Sequence, residues 1–218
     1  MRPLSPLVAA LALGLTALAG RPSAQAPSPA ELARRIQAHY NTIADFTADF
    51  SVTYKYTRFA DRAQTSLERG DLKVKKPNRM RWTYVEPDRK EFVADGTYFY
   101  QHYPADKYAE KAPLPKADDA PLALMFLAGR GDLTRDFTPW MPAEQPAGEW
   151  SLALAPKTRQ EDYSTLTLVV RRDSLALAGL VMTDDLGTQT FRFTKFQPNR
   201  GLKDSVFSFK PPNGTVIR

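Results

Sequence analysis

Phe46-Thr47-Ala48-Asp49-Phe50-Ser51-Val52-Thr53-Tyr54-Lys55-Tyr56 is the stretch that decides the fold. Every even position is apolar and every odd one polar, a period of two that makes a long strand with one greasy and one wet face. The alternation returns at Leu72 and Val74 against Asp71, Lys73 and Lys75, then at Met80, Trp82 and Tyr84 against Arg79, Arg81 and Thr83. Turn signals separate the runs: Pro77-Asn78, Glu86-Pro87-Asp88, and Asp95-Gly96, a hairpin dipeptide. Arg58 to Arg69 is polar and reads as a hairpin loop or frayed strand ends.

Outward from this core, Glu91 to Ala94 and Thr97 to Tyr103 read as the two arms of the Asp95-Gly96 hairpin. Strands resume at Trp150/Leu152/Leu154, Leu166/Leu168/Val170, Leu175–Thr183 and Thr188–Phe196. Asp184-Asp185-Leu186-Gly187 joins the last two, so its carboxylates are read as turn formers rather than as a catalytic pair. Residues 104–119 and 138–148, rich in proline, read as loops.

Two helices are expected. Ser28, Pro29 and Glu31 form an N-terminal capping signature, and Leu32, Ile36, Tyr40 and Ile43 follow at helical spacing, predicting a helix over about 29–43. Asp119 to Gly129 carries a cap, an early proline and a terminal glycine, but is apolar all round, which a surface helix is not. The expected class is mainly β with α: many antiparallel strands, one amphipathic helix and one greasy helix.

The N-terminus reads as an address. Arg2 precedes an uncharged apolar run from Leu7 to Ala19, shorter than the ~20 residues that span a bilayer. Ala24-Gln25-Ala26 is a cleavage pattern, so a signal peptide at 1–26 and a single domain over 27–218 are expected, with the protein exported and soluble. The chain has no cysteine, so none follows the leader to be lipidated, and disulfides and thiolate chemistry are excluded. Its net charge of +6 includes Arg2 and Arg21 of the leader and is too weak to argue for nucleic acid.

Catalytic chemistry finds no support. There are two histidines, His39 and His102, far apart in sequence, and no nucleophile elbow, phosphate loop or zinc motif. No catalytic residue, metal or cofactor is expected. Arg130-Gly131-Asp132 reads as a chance tripeptide at a helix end. The unusual feature is the apolar sheet face, which carries Phe50, Val52, Tyr54, Leu72, Val74, Met80, Trp82, Tyr84, Phe92, Tyr98 and Tyr100. Helices over such a face either close a packed core or line a cavity for an apolar ligand. The basic run Lys73, Lys75, Lys76, Arg79 and Arg81 is either a solvated face or a docking patch for acidic partners or headgroups.

Gly70-Asp71-Leu72-Lys73-Val74-Lys75-Lys76-Pro77-Asn78-Arg79-Met80-Arg81-Trp82 resembles a signature of the outer-membrane lipoprotein carrier protein family, LolA. The likeness continues through Glu86-Pro87, Asp95-Gly96 with Tyr98 and Tyr100, the apolar helix after Ala120-Pro121, Leu154-Ala155-Pro156-Lys157, the Asp184/Asp185–Gly187 turn and Phe207-Ser208-Phe209-Lys210-Pro211-Pro212-Asn213-Gly214. It spans about 32–217.

The resemblance implies a curved, incomplete antiparallel β-barrel with helices in the concave face as a lid. It implies a periplasmic monomer that takes acylated lipoproteins from an inner-membrane ABC lipoprotein-releasing complex and passes them to an outer-membrane receptor. A related binding or sensor module of the same fold, for another lipid or lipoprotein, is the alternative. The expected cavity lining is Phe50, Val52, Tyr54, Met80, Trp82, Tyr84, Phe92, Tyr98 and Tyr100, with Leu124, Met125 and Leu127 from the lid. In related carriers an arginine before the Pro-x-x-x-x-Trp turn bonds lid carbonyls. Lys76 stands there in this chain, with Arg79 and Arg81 as substitutes for that latch or for partner docking.

Overall fold

The computed structural model describes residues 26–56, 66–114, 126–159 and 163–218. The leader up to Gln25 lies outside these, as do Arg58, Asp118, Asp119, Leu124 and Met125.

Helix α1 spans Pro29–Asn41. Ser28 caps it, its side chain accepting the Glu31 N–H at 3.2 Å, and Leu32, Ile36 and Tyr40 are buried as their spacing requires. The reciprocal half of the capping box is absent: the Glu31 carboxylate pairs with Arg34 instead.

Among the described residues twelve strands follow: β1 Asp45–Tyr56, β2 Ser66–Lys75, β3 Arg79–Glu86, β4 Lys90–Asp95, β5 Tyr98–Tyr103, β6 Tyr108–Pro113, β7 Phe137–Trp140, β8 Glu149–Pro156, β9 Thr165–Arg171, β10 Leu177–Thr183, β11 Gly187–Pro198 and β12 Val216–Ile217. They form one sheet in the order β12-β6-β5-β4-β3-β2-β1-β11-β10-β9-β8-β7, with two free ends that do not meet. All pairs are antiparallel except β12 on β6. The short helix α2, Leu133–Asp136, leads into β7, with Asp132 Oδ1 accepting the Thr134 and Arg135 N–H groups.

Two strands occupy segments expected to be loops. β6 lies inside 104–119, and β7 covers the start of 138–148. Both sit at or next to a sheet end, where one pairing partner suffices and a proline is tolerated: Pro113 ends β6, and Pro139 lies within β7.

The inner face of the sheet is the one the helices cover. Tyr40 of α1 stacks on Phe126 at 4.5 Å and meets Phe46 of β1 edge-on at 6.1 Å. Phe126 and Leu127 are helical, and Gly129, at φ +76°, ends this turn by donating its N–H to the Phe126 carbonyl at 2.9 Å. That is the expected end of the greasy helix. The outer face is covered in part by residues 199–218. The buried Asp45 carboxylate accepts the N–H groups of Arg200, Gly201 and Leu202 at 2.6–3.2 Å, and β12 closes the sheet beyond β6.

Candidate functional site

The inner wall is an aromatic surface built around a glycine. Phe50 on β1 lies opposite Gly70 on β2. A Cβ on Gly70 would sit 2.8 Å from the Phe50 ring and 2.0 Å from the Thr83 carbonyl oxygen, so only glycine fits. The ring therefore lies over the β2 backbone and meets Trp82 at 5.0 Å and Tyr84 at 4.9 Å, both edge-to-face. Phe191 stands 5.5 Å from Trp82, and Phe92 stands 5.5 Å from Tyr84. Such contacts suit the aromatic quadrupole and leave a surface without directional polar demands.

Of the expected lining, Phe50, Val52, Met80, Trp82, Tyr84 and Leu127 are buried in this cluster, with Tyr54 and Phe92 half-buried against it. Tyr98 and Tyr100 are not part of it. Ala94 pairs with Phe99, so Phe99 shares the face of Met80 and Trp82, and its neighbours Tyr98 and Tyr100 point outward. Tyr100 stacks on Phe209 of the C-terminal segment at 4.8 Å, and Tyr98 is 37% exposed. The hairpin register overrides aromatic character, because one position along a strand reverses the face. Phe99, Phe191 and Phe193 are the rings that the sequence reading missed. A two-residue Gly96-Thr97 turn, read as a pairing rule, places Phe99 correctly.

At the Tyr56 end, the same wall carries a polar cluster. Tyr54 donates to Glu68 Oε2 at 3.2 Å, and Lys90 Nζ donates to Glu68 Oε1 at 2.7 Å. Lys90 Nζ also stands 4.4 Å over the Tyr84 ring. Burial, then the Glu68 charge, pushes the Tyr54 phenol up to about 12, and burial raises that of Tyr84 further.

Lys76 lies between α1 and the turn at Gly129. Its Nζ donates to the Tyr40 carbonyl at the end of α1 and lies 3.5 Å over the Tyr40 ring. Its methylenes fill the space where a Cβ on Gly129 would sit. The Tyr40 hydroxyl in turn donates to the Leu127 carbonyl at 2.9 Å, and Asn78 N–H to Ala128 at 3.3 Å. One lysine thus holds α1, the β2–β3 turn and the end of the greasy helix together, and burial lowers its pKa to about 8. Arg79 and Arg81 do not share this role. Both are on the outer face, where Arg79 pairs with Asp204 at 3.4 Å and Arg81 with Glu91 and the Ser208 carbonyl. Lys75 likewise holds Asp204 and the Leu202 carbonyl, and Lys73 holds Asp71. The basic run is therefore largely spent on the protein's own acids and C-terminal segment.

The outer face carries an open groove of about 470 Å³ lined by Asp49, Ser51, Arg69, Asp71, Glu86 and Arg192 among others. It is charged and opposite to the aromatic wall, so it is not the expected apolar cavity.

An unclosed antiparallel sheet, with an aromatic inner wall and helices across it, defines a curved-sheet, helix-lidded β protein. A family model described as outer membrane lipoprotein carrier protein LolA matches residues 41–210, and the chain belongs to that family. An outer-membrane lipoprotein carrier protein of Chromobacterium violaceum is 28% identical over 100% of this chain and 98% of its own. One from Nitrosospira multiformis is 30% identical over 72% of this chain and 80% of its own. A crystal structure of an uncharacterized conserved protein from Thermus thermophilus, 12% identical, shares the fold at a TM-score of 0.54 over 85% of this chain and 99% of that one.

Proposed function

We propose that this protein is a periplasmic carrier, without enzymatic activity, that shields the acyl chains of lipoproteins in transit from the inner membrane. On this reading residues 1–26 are a cleaved leader, an inner-membrane ABC complex loads the cargo, and an outer-membrane receptor accepts it. The observation that supports it most is the ring cluster of Phe50, Trp82, Tyr84 and Phe191 on the helix-covered face of a LolA-family chain.

The physical need is plain. Each acyl CH₂ left in water costs ~0.8 kcal/mol, so an unescorted lipoprotein faces a cost of tens of kcal/mol. A carrier must cover the chains and still release them. Apolar contact meets both demands, since it scales with area and lacks the geometric hold of fixed hydrogen bonds. The Lys76 tie gives the lid a defined closed position that a lodged chain would have to displace. The test is the transfer of a labelled lipoprotein from inner-membrane vesicles into solution. Release that depends on this protein and on the acyl groups is expected. Equal capture of acylated and deacylated cargo would overturn the reading.

A further inference from the structure

The inner wall changes character along its length. On β1 the inward residues Phe46, Ala48, Phe50 and Val52 are at most 3% exposed, Tyr54 is half-buried, and Tyr56 is 45% exposed. The closed end lies under Tyr40 and Phe126, and the open end is where Tyr54, Glu68, Tyr84 and Lys90 meet. All four share the inner face, because Val52 pairs with Glu68 and Tyr84 with Lys90 across neighbouring strands. The Lys90 and Glu68 side chains are only 22% and 17% exposed. An ion pair so far withdrawn from water gains little over well-packed apolar residues, so its place on a greasy wall asks for another reason.

We propose that Tyr54, Glu68, Tyr84 and Lys90 form a head-group site, taking the neutral ester and amide groups that join acyl chains to a lipoprotein's N-terminus. This rests on the carrier reading above and gives the cargo an orientation: tails toward Phe46 and Phe50, polar linkage at the Tyr56 end. The chemistry is matched on both sides. The Lys90 ammonium retains donors beyond its Glu68 bond, which suit ester carbonyls, and the Glu68 carboxylate has lone pairs for an amide N–H. The lysine cancels the glutamate charge, so the site holds no net charge to attract a phosphate or a free fatty-acid carboxylate.

The test compares two probes on the mature protein, a synthetic dipalmitoylglyceryl-cysteine peptide and diphenylhexatriene, a hydrocarbon with no head group, with palmitate as a competitor of the lipopeptide. The double variant Glu68→Leu/Lys90→Met, neutral and similar in bulk, is expected to bind the lipopeptide about tenfold more weakly, the scale of one hydrogen bond to a charged group. Its affinity for diphenylhexatriene is expected to stay within about twofold of wild type, because the tail surface is untouched. Tyr54→Phe, which removes one hydroxyl and keeps the ring, is expected to lose about fivefold for the lipopeptide alone. Unchanged lipopeptide binding, or an equal loss for both probes, overturns the site. So does a wild type that takes up diphenylhexatriene but prefers palmitate to the lipopeptide, and that result leaves the carrier reading standing. A wild type that binds none of these probes overturns the carrier reading and the site with it.

Discussion

The inner and outer faces come from the same strands, residue by alternate residue, yet different forces hold them. Inside, Phe50, Trp82, Tyr84 and Phe191 meet ring to ring. Outside, Arg81 grips Glu91 and Ser208, Lys75 and Arg79 grip Asp204, and Arg192 reaches Glu149. A non-directional inner surface can exchange its own contacts for those of a hydrocarbon guest at little cost. A directional outer surface keeps the sheet's shape and the C-terminal segment in place, whatever the inner contacts do.

The largest expected effect breaks the inner face at its floor. Gly70→Ala would drive a methyl into the Thr83 carbonyl oxygen and the Phe50 ring. Because the carbonyl is backbone and cannot swing aside, a loss of about 3 kcal/mol in denaturant unfolding is expected, at the upper end for overpacking. A variant as stable as wild type would mean that Phe50 does not lie where the wall needs it.

The next prediction strikes the outer face. Glu149 is buried and accepts both terminal nitrogens of Arg192 at 3.1 and 2.8 Å, with Arg171 at 3.3 Å. Gly179 on the intervening β10 leaves room for the arginine to cross, since a Cβ there would stand 3.3 Å from Arg192 Nη1. Glu149→Gln is expected to cost about 2 kcal/mol, the range for hydrogen bonds to a charged group. The Arg192 hydrogen bonds hold the Glu149 carboxyl below its ordinary value. Its contribution is therefore complete above the unfolded pKa near ~4.3 and is lost as pH falls through the folded value. Wild type and Glu149→Gln should converge in stability in acid; a constant gap would refute the clamp.

A third prediction concerns the tie between the lid and the sheet. Burial holds Lys76 at about 8, below its unfolded value near ~10.4, so the unfolded chain binds the extra proton between those limits. Stability must then rise with pH across that window. Measured against Lys76→Met, wild type should gain in melting temperature from about pH 8 to pH 10. A flat difference would mean that Lys76 is not withdrawn from water beside Tyr40.

The alternation of β1 to β3 was legible because each strand has a run of alternating apolar and polar positions. From it followed the sheet and five residues, Phe50, Val52, Met80, Trp82 and Tyr84, that lie buried in the wall cluster, while α1 followed from its cap and helical spacing. β5 was not legible in the same way, because Tyr98, Phe99, Tyr100 and Tyr103 put rings on both faces and only the hairpin register decides between them. β6 and β7 escaped notice because strands at or beside a sheet end need little β-propensity. The Lys90–Glu68 pair was hidden for another reason. Charged residues separated by two turns and a strand read as solvent-facing, and only the folded register brings them onto a greasy wall.

The smallest expected effect gives the sharpest comparison of the two faces, because it uses adjacent residues of one strand. Phe99 faces inward, 6.3 Å from Phe92, whereas Tyr98 faces outward with Lys111 Nζ 3.8 Å over its ring. Tyr98→Ser should cost about 0.5 kcal/mol, the worth of an exposed cation–π contact, and leave diphenylhexatriene binding unchanged. Phe99→Ser should weaken that binding while leaving the outer ion pairs intact, because a hydroxyl on the wall must be desolvated to meet hydrocarbon. Were Tyr98→Ser to impair binding as much as Phe99→Ser, the division of this sheet into a guest-facing side and a shape-keeping side would fail at the strand where it is easiest to see.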